Sequence, residues 1–364
     1  MKVLFLTNLP APYRVRFFTE LGKKCELTVL YERNAASDRD KKWRAESGGN
    51  FREFFLTGKQ IGADNSFCPE VIRYLKKDYD TIVIGMYSTY TAMLAMLWMK
   101  LKGIPYVIST DGGFVRQESN PKKWFKTMWL ASARYWLGTG KLAREYLCYY
   151  GADDSKVFDY PFTSIDERDL LAGIISQEEK RQIRRKLGIA ADKVVVSVGQ
   201  FIPRKGFDVL LRACEQIDCD DVVFLIIGGT KETFQKEVSK DIPDYIRLYP
   251  FMTKQELLQY YKAADFFVLP TREDVWGLVI NEAMACGLPV ITTNRCGAGL
   301  ELIQSGQNGY IVKTDDENEL ANYLNKMLDS EDLAEMGNNA LRTMKKYTYQ
   351  SMAECCYEIF EKNL

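Results

Sequence analysis

The sequence predicts an α/β protein made of two open, doubly wound parallel sheets, and three observations carry that expectation. Short apolar runs alternate with amphipathic stretches of helical period along most of the chain, the pattern of strand–crossover–strand units. The alternation comes in two series, separated by a charged, helix-prone segment at residues 176–186. The length of 364 residues exceeds what one core ordinarily serves, so two domains are expected. A hydrophobic fraction of 46% against 27% charge places the chain among globular rather than disordered proteins.

In the first series the apolar runs predict strands at residues 3–6, 26–31, 81–84, 106–109 and 135–137, with helices between them at 12–21 and 70–76. In the second they predict strands at 194–198, 222–227, 246–248, 266–269, 289–292 and 310–312, and a helix over 278–286. Unbroken apolar runs such as 222–227 suit strands buried on both faces. Residues 347–363 form a last amphipathic helix, with Met352, Cys356, Ile359 and Phe360 on a side that must be covered. Ligands of open parallel sheets bind beyond the carboxyl ends of the strands. Two such domains facing each other would therefore make a cleft with two walls.

Composition removes several chemistries. There is no histidine, which excludes Ser-His-Asp and Cys-His hydrolases, His-ligated metals and imidazole acid–base catalysis. Lys+Arg and Asp+Glu both number 49, so net charge argues neither for nor against an anionic partner, and an electropositive surface must come from local patches; no nucleic-acid partner is expected. Nine cysteines without CxxC spacing read as reduced thiols of a cytosolic protein, with neither a disulfide framework nor zinc. The first apolar run is broken by Asn8 and Pro10 and reads as a buried strand rather than a signal peptide. Residues 81–99 lack charge over nearly a bilayer's length, but Gly85, Ser88 and Thr89 divide them into strand, turn and helix. Asp38-Arg-Asp40 and Asp78-Tyr-Asp80 have the form of metal-binding DxD motifs. The first lies in a run of mixed charge, and the second precedes a strand, at the wrong end of its sheet, so no metal is expected.

Two stretches can carry chemistry. After the strand at 266–269 comes a loop with Glu273 and Asp274, then Gly277 and an apolar helix carrying Glu282. A glycine at a helix start lets a ligand approach unsatisfied amides, a ready phosphate site. Asp274 and Glu282 would flank it, which suits a ligand with both phosphate and sugar hydroxyls. The same spacing is met by a helix cap at Asp274 and an arginine-paired Glu282, and the residues alone leave both readings open. In the second stretch, residues 197–206 (SVGQFIPRKG), a strand runs into a loop ending in Arg204 and Lys205. Arg as a fork and Lys as a point charge can neutralise a diphosphate; alone, the pair would equally suit a solvated loop.

Residues 274–291 (DVWGLVINEAMACGLPVI) resemble the sugar-nucleotide signature of glycosyltransferase family 4, an acidic pair with seven residues between followed by EAMACGLPVI. The resemblance implies that Asp274 contacts the donor sugar and Glu282 the ribose hydroxyls. Val275, Trp276 and Gly277 would offer backbone amides to sugar and phosphate. The family's first acidic residue is usually Glu; the shorter Asp274, or a register shift to Glu273, bears on which sugar fits. The family's VGR…KG loop is matched by Lys205 and Gly206. Gln200 stands at the usual arginine position, so the phosphate clamp is assigned to Arg204 and Lys205. Residues 224–229 (FLIIGG) resemble the glycine turn of the donor domain, Phe251 and Met252 lie where the nucleobase binds, and residues 294–301 resemble the loop closing the donor pocket.

In the first half, the loops at 8–14 (NLPAPYR) and 110–113 (TDGG) end strands at the expected cleft. Many family members have a histidine facing the sugar there; Asp111 is the candidate for a related place, beside simple turn chemistry. The resemblance implies the GT-B architecture: an acceptor-binding domain over 1–168, a donor-binding domain over 169–346, and a final helix, 347–364, crossing back to the first. It implies a retaining transferase of bacterial cell-surface polysaccharide or glycolipid type. The donor is a nucleoside-diphosphate sugar, UDP before GDP, and the acceptor a glycan, glycolipid or other hydroxyl compound. Arg204, Lys205 and the amides near Gly277 would stabilise the departing diphosphate, with no protein nucleophile and no cofactor. The alternative is a non-catalytic sugar-nucleotide-binding subunit of a transferase complex. Residues 116–136 mix Arg116, Lys122, Lys123, Lys126 and Arg134 with Trp124, Phe125, Trp129 and Trp136. They suit a peripheral contact with anionic lipid at the inner membrane face, or an ordinary helix with one buried aromatic side.

Overall fold

Runs of apolar and β-branched residues become strands wherever both faces can be covered, and amphipathic stretches become the helices that cover them. The computed structural model describes residues 1–34, 49–62, 65–217, 221–238 and 241–363. Asp38, Asp40 and Cys219 fall outside them. The chain divides into two compact units, Met1–Thr163 with Thr348–Leu364, and Ser164–Tyr347.

The first unit contains, in order, β1 (Lys2–Thr7), α1 (Pro12–Leu21), β2 (Glu26–Tyr31), β3 (Arg52–Phe55), β4 (Lys59–Ile61), β5 (Asn65–Phe67), β6 (Thr81–Ile84), α2 (Tyr90–Lys102), β7 (Val107–Thr110), α3 (Asn120–Leu130), β8 (Tyr135–Gly138), α4 (Lys141–Tyr149) and β9 (Val157–Asp159). Seven strands form one parallel sheet in the order β3-β2-β1-β6-β7-β8-β9, and β4 and β5 make a separate antiparallel hairpin. The order reverses between β1 and β6, the switch point of a doubly wound sheet. Side chains of α2, α3 and α4 share one core with this sheet, including Met96, Met99, Leu130, Trp136 and Leu147.

The second unit contains α5 (Gln177–Lys186), β10 (Lys193–Val198), α6 (Phe207–Cys214), β11 (Val222–Ile227), α7 (Lys231–Val238), β12 (Ile246–Tyr249), α8 (Lys254–Ala263), β13 (Phe266–Leu269), α9 (Leu278–Ala285), β14 (Val290–Thr293), α10 (Gly297–Leu302), β15 (Gly309–Val312), α11 (Glu317–Leu328) and α12 (Leu333–Met344). Its sheet is parallel throughout, in the order β12-β11-β10-β13-β14-β15, with the switch point between β10 and β13. α5 starts at a capping box in which Ser176 and Glu179 satisfy each other's backbone amides. The last helix, α13 (Tyr349–Asn363), returns to the first unit, packs along α1 and buries Met352, Cys356, Ile359 and Phe360.

The structure departs from the sequence expectation in three places. Residues 70–76 do not form an α-helix; a short 3-10 helix, Pro69–Arg73, takes their place, closed by bonds such as Tyr74 N–H to Val71 O. The solvated run Lys76-Lys77-Asp78 offers no apolar second turn to extend it. β3, the β4–β5 hairpin and β9 were not foreseen, because they are only three or four residues long and show no unbroken apolar run. Trp136 belongs to β8 and the core, its indole N–H bonded to Leu130 O at 2.7 Å, so it is not part of any surface formed by residues 116–136. Residues 81–99 divide into β6 and α2, and among the described residues no helix is long and apolar enough to cross a membrane.

Candidate functional site

The loops leaving β10 and β13 flank the switch point of the second sheet, and backbone bonds stitch them together. Arg204 O accepts from Arg272 N–H at 2.8 Å and from the Thr271 hydroxyl at 2.9 Å. The loop leaving β14 joins from the other side, through Asp274 N–H to Arg295 O at 2.8 Å and Gly297 N–H to Asp274 O at 3.0 Å. Three loops at the carboxyl edge therefore hold Asp274 at their centre.

Lys205 donates to Asp274 Oδ2 at 2.5 Å, with both side chains largely buried, while Arg204 donates to Glu273 O at 2.7 Å and stands 3.7 Å from Asp274 Oδ1. Glu273 turns elsewhere and pairs with Arg295 at 2.7 Å. Of the two adjacent carboxylates, Asp274 is thus the one at the cation pair. Arg272 fixes the loop from outside, forked onto Asp208 at 2.7 and 2.8 Å and bonded to Asp315 at 2.6 Å. Neither Arg272 nor Arg295 was singled out from sequence; an isolated loop arginine looks the same whether or not it finds a carboxylate.

Gly277 starts α9, which has no side-chain cap and no acidic residue in its first turn. Its amino end thus keeps the partial positive charge of an uncapped terminus. Backbone geometry requires the glycine on its own account. Its φ of +95° is left-handed, and a Cβ would lie 2.8 Å from Cys296 Sγ. Trp276 is buried, its indole N–H bonded to Asn281 Oδ1 at 2.8 Å, and Trp276 O accepts from Ala298 N–H. Val275 lies between Asp274 and that anchor, with its carbonyl against Gly297.

Glu282, farther along α9, accepts from the Ser164 hydroxyl and the Tyr261 hydroxyl, each at 3.3 Å. Burial raises its pKa above the ordinary carboxylate value, while nearby Lys254 and these two hydrogen bonds work against that rise. Lys254 bonds Ser164 O at 2.6 Å and Asp169 at 2.7 Å, tying the first residues of the unit to α8. The arginine partner allowed by spacing alone is absent from these contacts; hydroxyls hold Glu282 instead. Phe251 and Met252 sit half-buried on the loop after the edge strand β12, just before Thr253 caps α8. Asp111 lies in the first unit, bonded to Arg14. Asp80, of the second DxD motif, accepts from Lys2 N–H at 2.7 Å at the amino edge of the first sheet, remote from its carboxyl-edge loops.

Arg204, Lys205 and Asp274 are therefore brought together directly, Glu273 joins them only through its backbone carbonyl, and Val275, Trp276 and Gly277 continue from them into α9. The cluster offers two cations, an uncapped helix end and a carboxylate at a switch point, where an anionic, hydroxylated ligand can be held.

Residues 179–345 match the family described as glycosyl transferases group 1. An uncharacterized glycosyltransferase of Methanocaldococcus jannaschii is 29% identical over 168 residues, 45% of this chain and 47% of that protein. A D-inositol 3-phosphate glycosyltransferase of Thermobifida fusca is 30% identical over 201 residues, 51% of this chain and 45% of that protein. The chain thus spans about half the length of the curated relatives it matches. Among solved structures, Anabaena HepE in complex with UDP and glucose superposes with a TM-score of 0.77 at 18% identity, covering 99% of both chains. That likeness shows a shared fold, the GT-B fold of two Rossmann-like units.

Proposed function

Because residues 179–345 match the family described as glycosyl transferases group 1, we propose that the chain transfers a sugar from a nucleoside-diphosphate sugar to a hydroxyl acceptor, with retention of configuration. The observation that carries this reading is the cluster of Arg204, Lys205 and Asp274 beside the uncapped start of α9. Lys205 is paired with Asp274. An incoming diphosphate would compete for Lys205 and Arg204 and place its sugar against Asp274. As the donor bond breaks, charge grows on the departing diphosphate, and prepositioned cations and helix amides stabilise it more than they stabilise the ground state. Glu282, already the acceptor of two hydroxyl donors, takes the ribose hydroxyls in the same way. Phe251 and Met252 flank the base. The acceptor's proton passes to a donor phosphate oxygen, since neither histidine nor an unpaired carboxylate stands in the cluster. UDP is the favoured carrier, because HepE was crystallised with it.

The acceptor is read as a glycan or a lipid-linked sugar, from the outward face of α3. Trp124, Phe125 and Met128 are exposed there with Lys122, and Arg116 is exposed shortly before the helix, a composition suited to anionic lipid headgroups. The testing experiment is release of UDP or GDP from a panel of sugar nucleotides, with and without alkyl glycosides as acceptors. Turnover with one donor supports the enzyme. Tight donor binding with no release of nucleoside diphosphate would instead favour a non-catalytic binding subunit.

A further inference from the structure

At the amino edge of the second sheet, α5, α8, α9 and α12 close around a cavity of about 40 Å³. Its wall includes Gln177 and Lys180 of α5, Tyr261 and Lys262 of α8, Asp265 just before β13 and Cys286 just after α9. Ligands of open parallel sheets sit at the other, carboxyl edge. The cavity is therefore no extension of the cluster around Asp274, and none of that cluster's residues lines it.

The charges around it do not balance. Asp265 is buried, and its Oδ2 is taken by Arg184 Nη2 at 2.7 Å and by Val194 N–H at 2.8 Å. Arg184 is satisfied in full, since its Nε donates to Ala263 O at 2.8 Å and its Nη1 to Asp192 O. Lys180 has a side chain only 12% exposed, and among the described residues its one hydrogen bond goes to Asp265 Oδ1 at 3.1 Å. One carboxylate thus answers two largely buried cations. An ammonium has three donors, so two N–H groups of Lys180 are left at the cavity wall. Burial pulls its pKa below the usual ammonium range; Asp265 works against that fall and Arg184 adds to it. Lys262 brings a further positive charge to the wall and makes no ion pair among the described residues. Glu179, the carboxylate on which Lys262 acts, is exposed and bonded to Ser176.

A buried cation short of partners is costly, and water or an anion can supply them. Water would meet the free donors and leave the surplus charge; an anion meets both. The cavity exceeds the roughly 10–15 Å³ that a single water needs. We infer that it binds a small inorganic anion, of chloride to phosphate size, with Lys180 as the principal donor and Lys262 as the second cation. Such a ligand completes the junction of α5, α8, α9 and α12 and stabilises the second unit. The inference stands apart from the transferase reading, since it uses no residue of the donor site.

Wild type, Lys180→Met and Lys262→Met are compared as full chains. Melting temperature is followed against sodium chloride and, separately, sodium phosphate, with sodium gluconate, too large for the cavity, holding ionic strength constant. An anion that binds only the folded chain raises the melting temperature along a curve whose concentration dependence gives an apparent dissociation constant. Wild type should respond in this way to chloride, to phosphate or to both. Lys180→Met should weaken the constant by about tenfold to a hundredfold, the loss of one hydrogen bond to a charged group, and Lys262→Met by up to about tenfold. In crystals soaked in sodium bromide, an anomalous peak should stand at hydrogen-bonding distance from Lys180 Nζ in wild type. Should Lys180→Met fail to fold, Lys262→Met and the bromide peak decide. Equal responses of wild type and every folded variant to both salts overturn the inference. So does a bromide peak without any response in solution, which marks an adventitious ion only.

Discussion

Glu282 sets the first prediction. Burial raises its folded pKa, so the fold favours the protonated carboxyl. That contribution is full below the ordinary value of 4.5 and is lost as pH rises through the raised folded value. Urea denaturation of Glu282→Gln against wild type should therefore show the variant gaining relative stability as pH rises from about 4.5, then levelling off. A difference independent of pH would contradict the burial argument. The same variant should bind UDP about tenfold more weakly, if the carboxylate serves ribose hydroxyls. Asp274 sets the second. Asp274→Ala should keep or tighten UDP binding, because Lys205 and Arg204 remain and lose the carboxylate that competes for them, but flatten the preference among UDP-hexoses, and Asp274→Glu should shift it. An unchanged ranking across the panel in both variants would remove Asp274 from sugar choice. These two acidic positions were legible in the sequence because the motif that contains them is one of local spacing. Ser164 and Tyr261 were not, since the Ser164–Glu282 contact joins positions 118 residues apart. The pairing of Glu273 with Arg295 was equally invisible, and it is what leaves Asp274 to Lys205.

Strands with unbroken apolar runs, such as β10, β11 and β13, could be read from the sequence because burial on both faces demands that composition. β3 to β5 could not, as exposed, short strands carry no such demand. α3 was legible only as a mixture of basic and aromatic residues; the structure sorts it. Lys126 turns inward to Glu118 at 2.6 Å, and Lys123 covers the ring of Tyr149 at 3.9 Å. Trp124, Phe125 and Met128, spaced as one helical stripe, point outward. Leu130 and Trp129 pack on the core, so α3 carries apolar side chains on its outward face as well as its inward one. Vesicles containing anionic lipid should co-sediment the protein, and Trp124→Glu with Phe125→Glu should abolish this without altering hydrolysis of a soluble donor. Equal binding to neutral and anionic vesicles, or no loss in the double variant, would reject a lipid-facing α3.

The two-series pattern announced two doubly wound units, and each sheet has its switch point where chain order reverses. The boundary at Thr163 and Ser164 falls five residues before the expected 168, within a segment whose apolar and polar residues gave no linker signal. The second unit holds the cation cluster and the region that matches the family; the loops of the first carry no motif of fixed spacing, so fewer of their residues were legible. The account depends most on Lys205 acting on the departing diphosphate. The direct measurement is turnover of the preferred sugar nucleotide by wild type and Lys205→Ala, with UDP and donor affinities measured alongside. The account predicts a fall in kcat of about a hundredfold to a thousandfold, the size seen when one prepositioned donor to a developing anion is removed. Turnover by Lys205→Ala equal to wild type, at saturating donor, would contradict it.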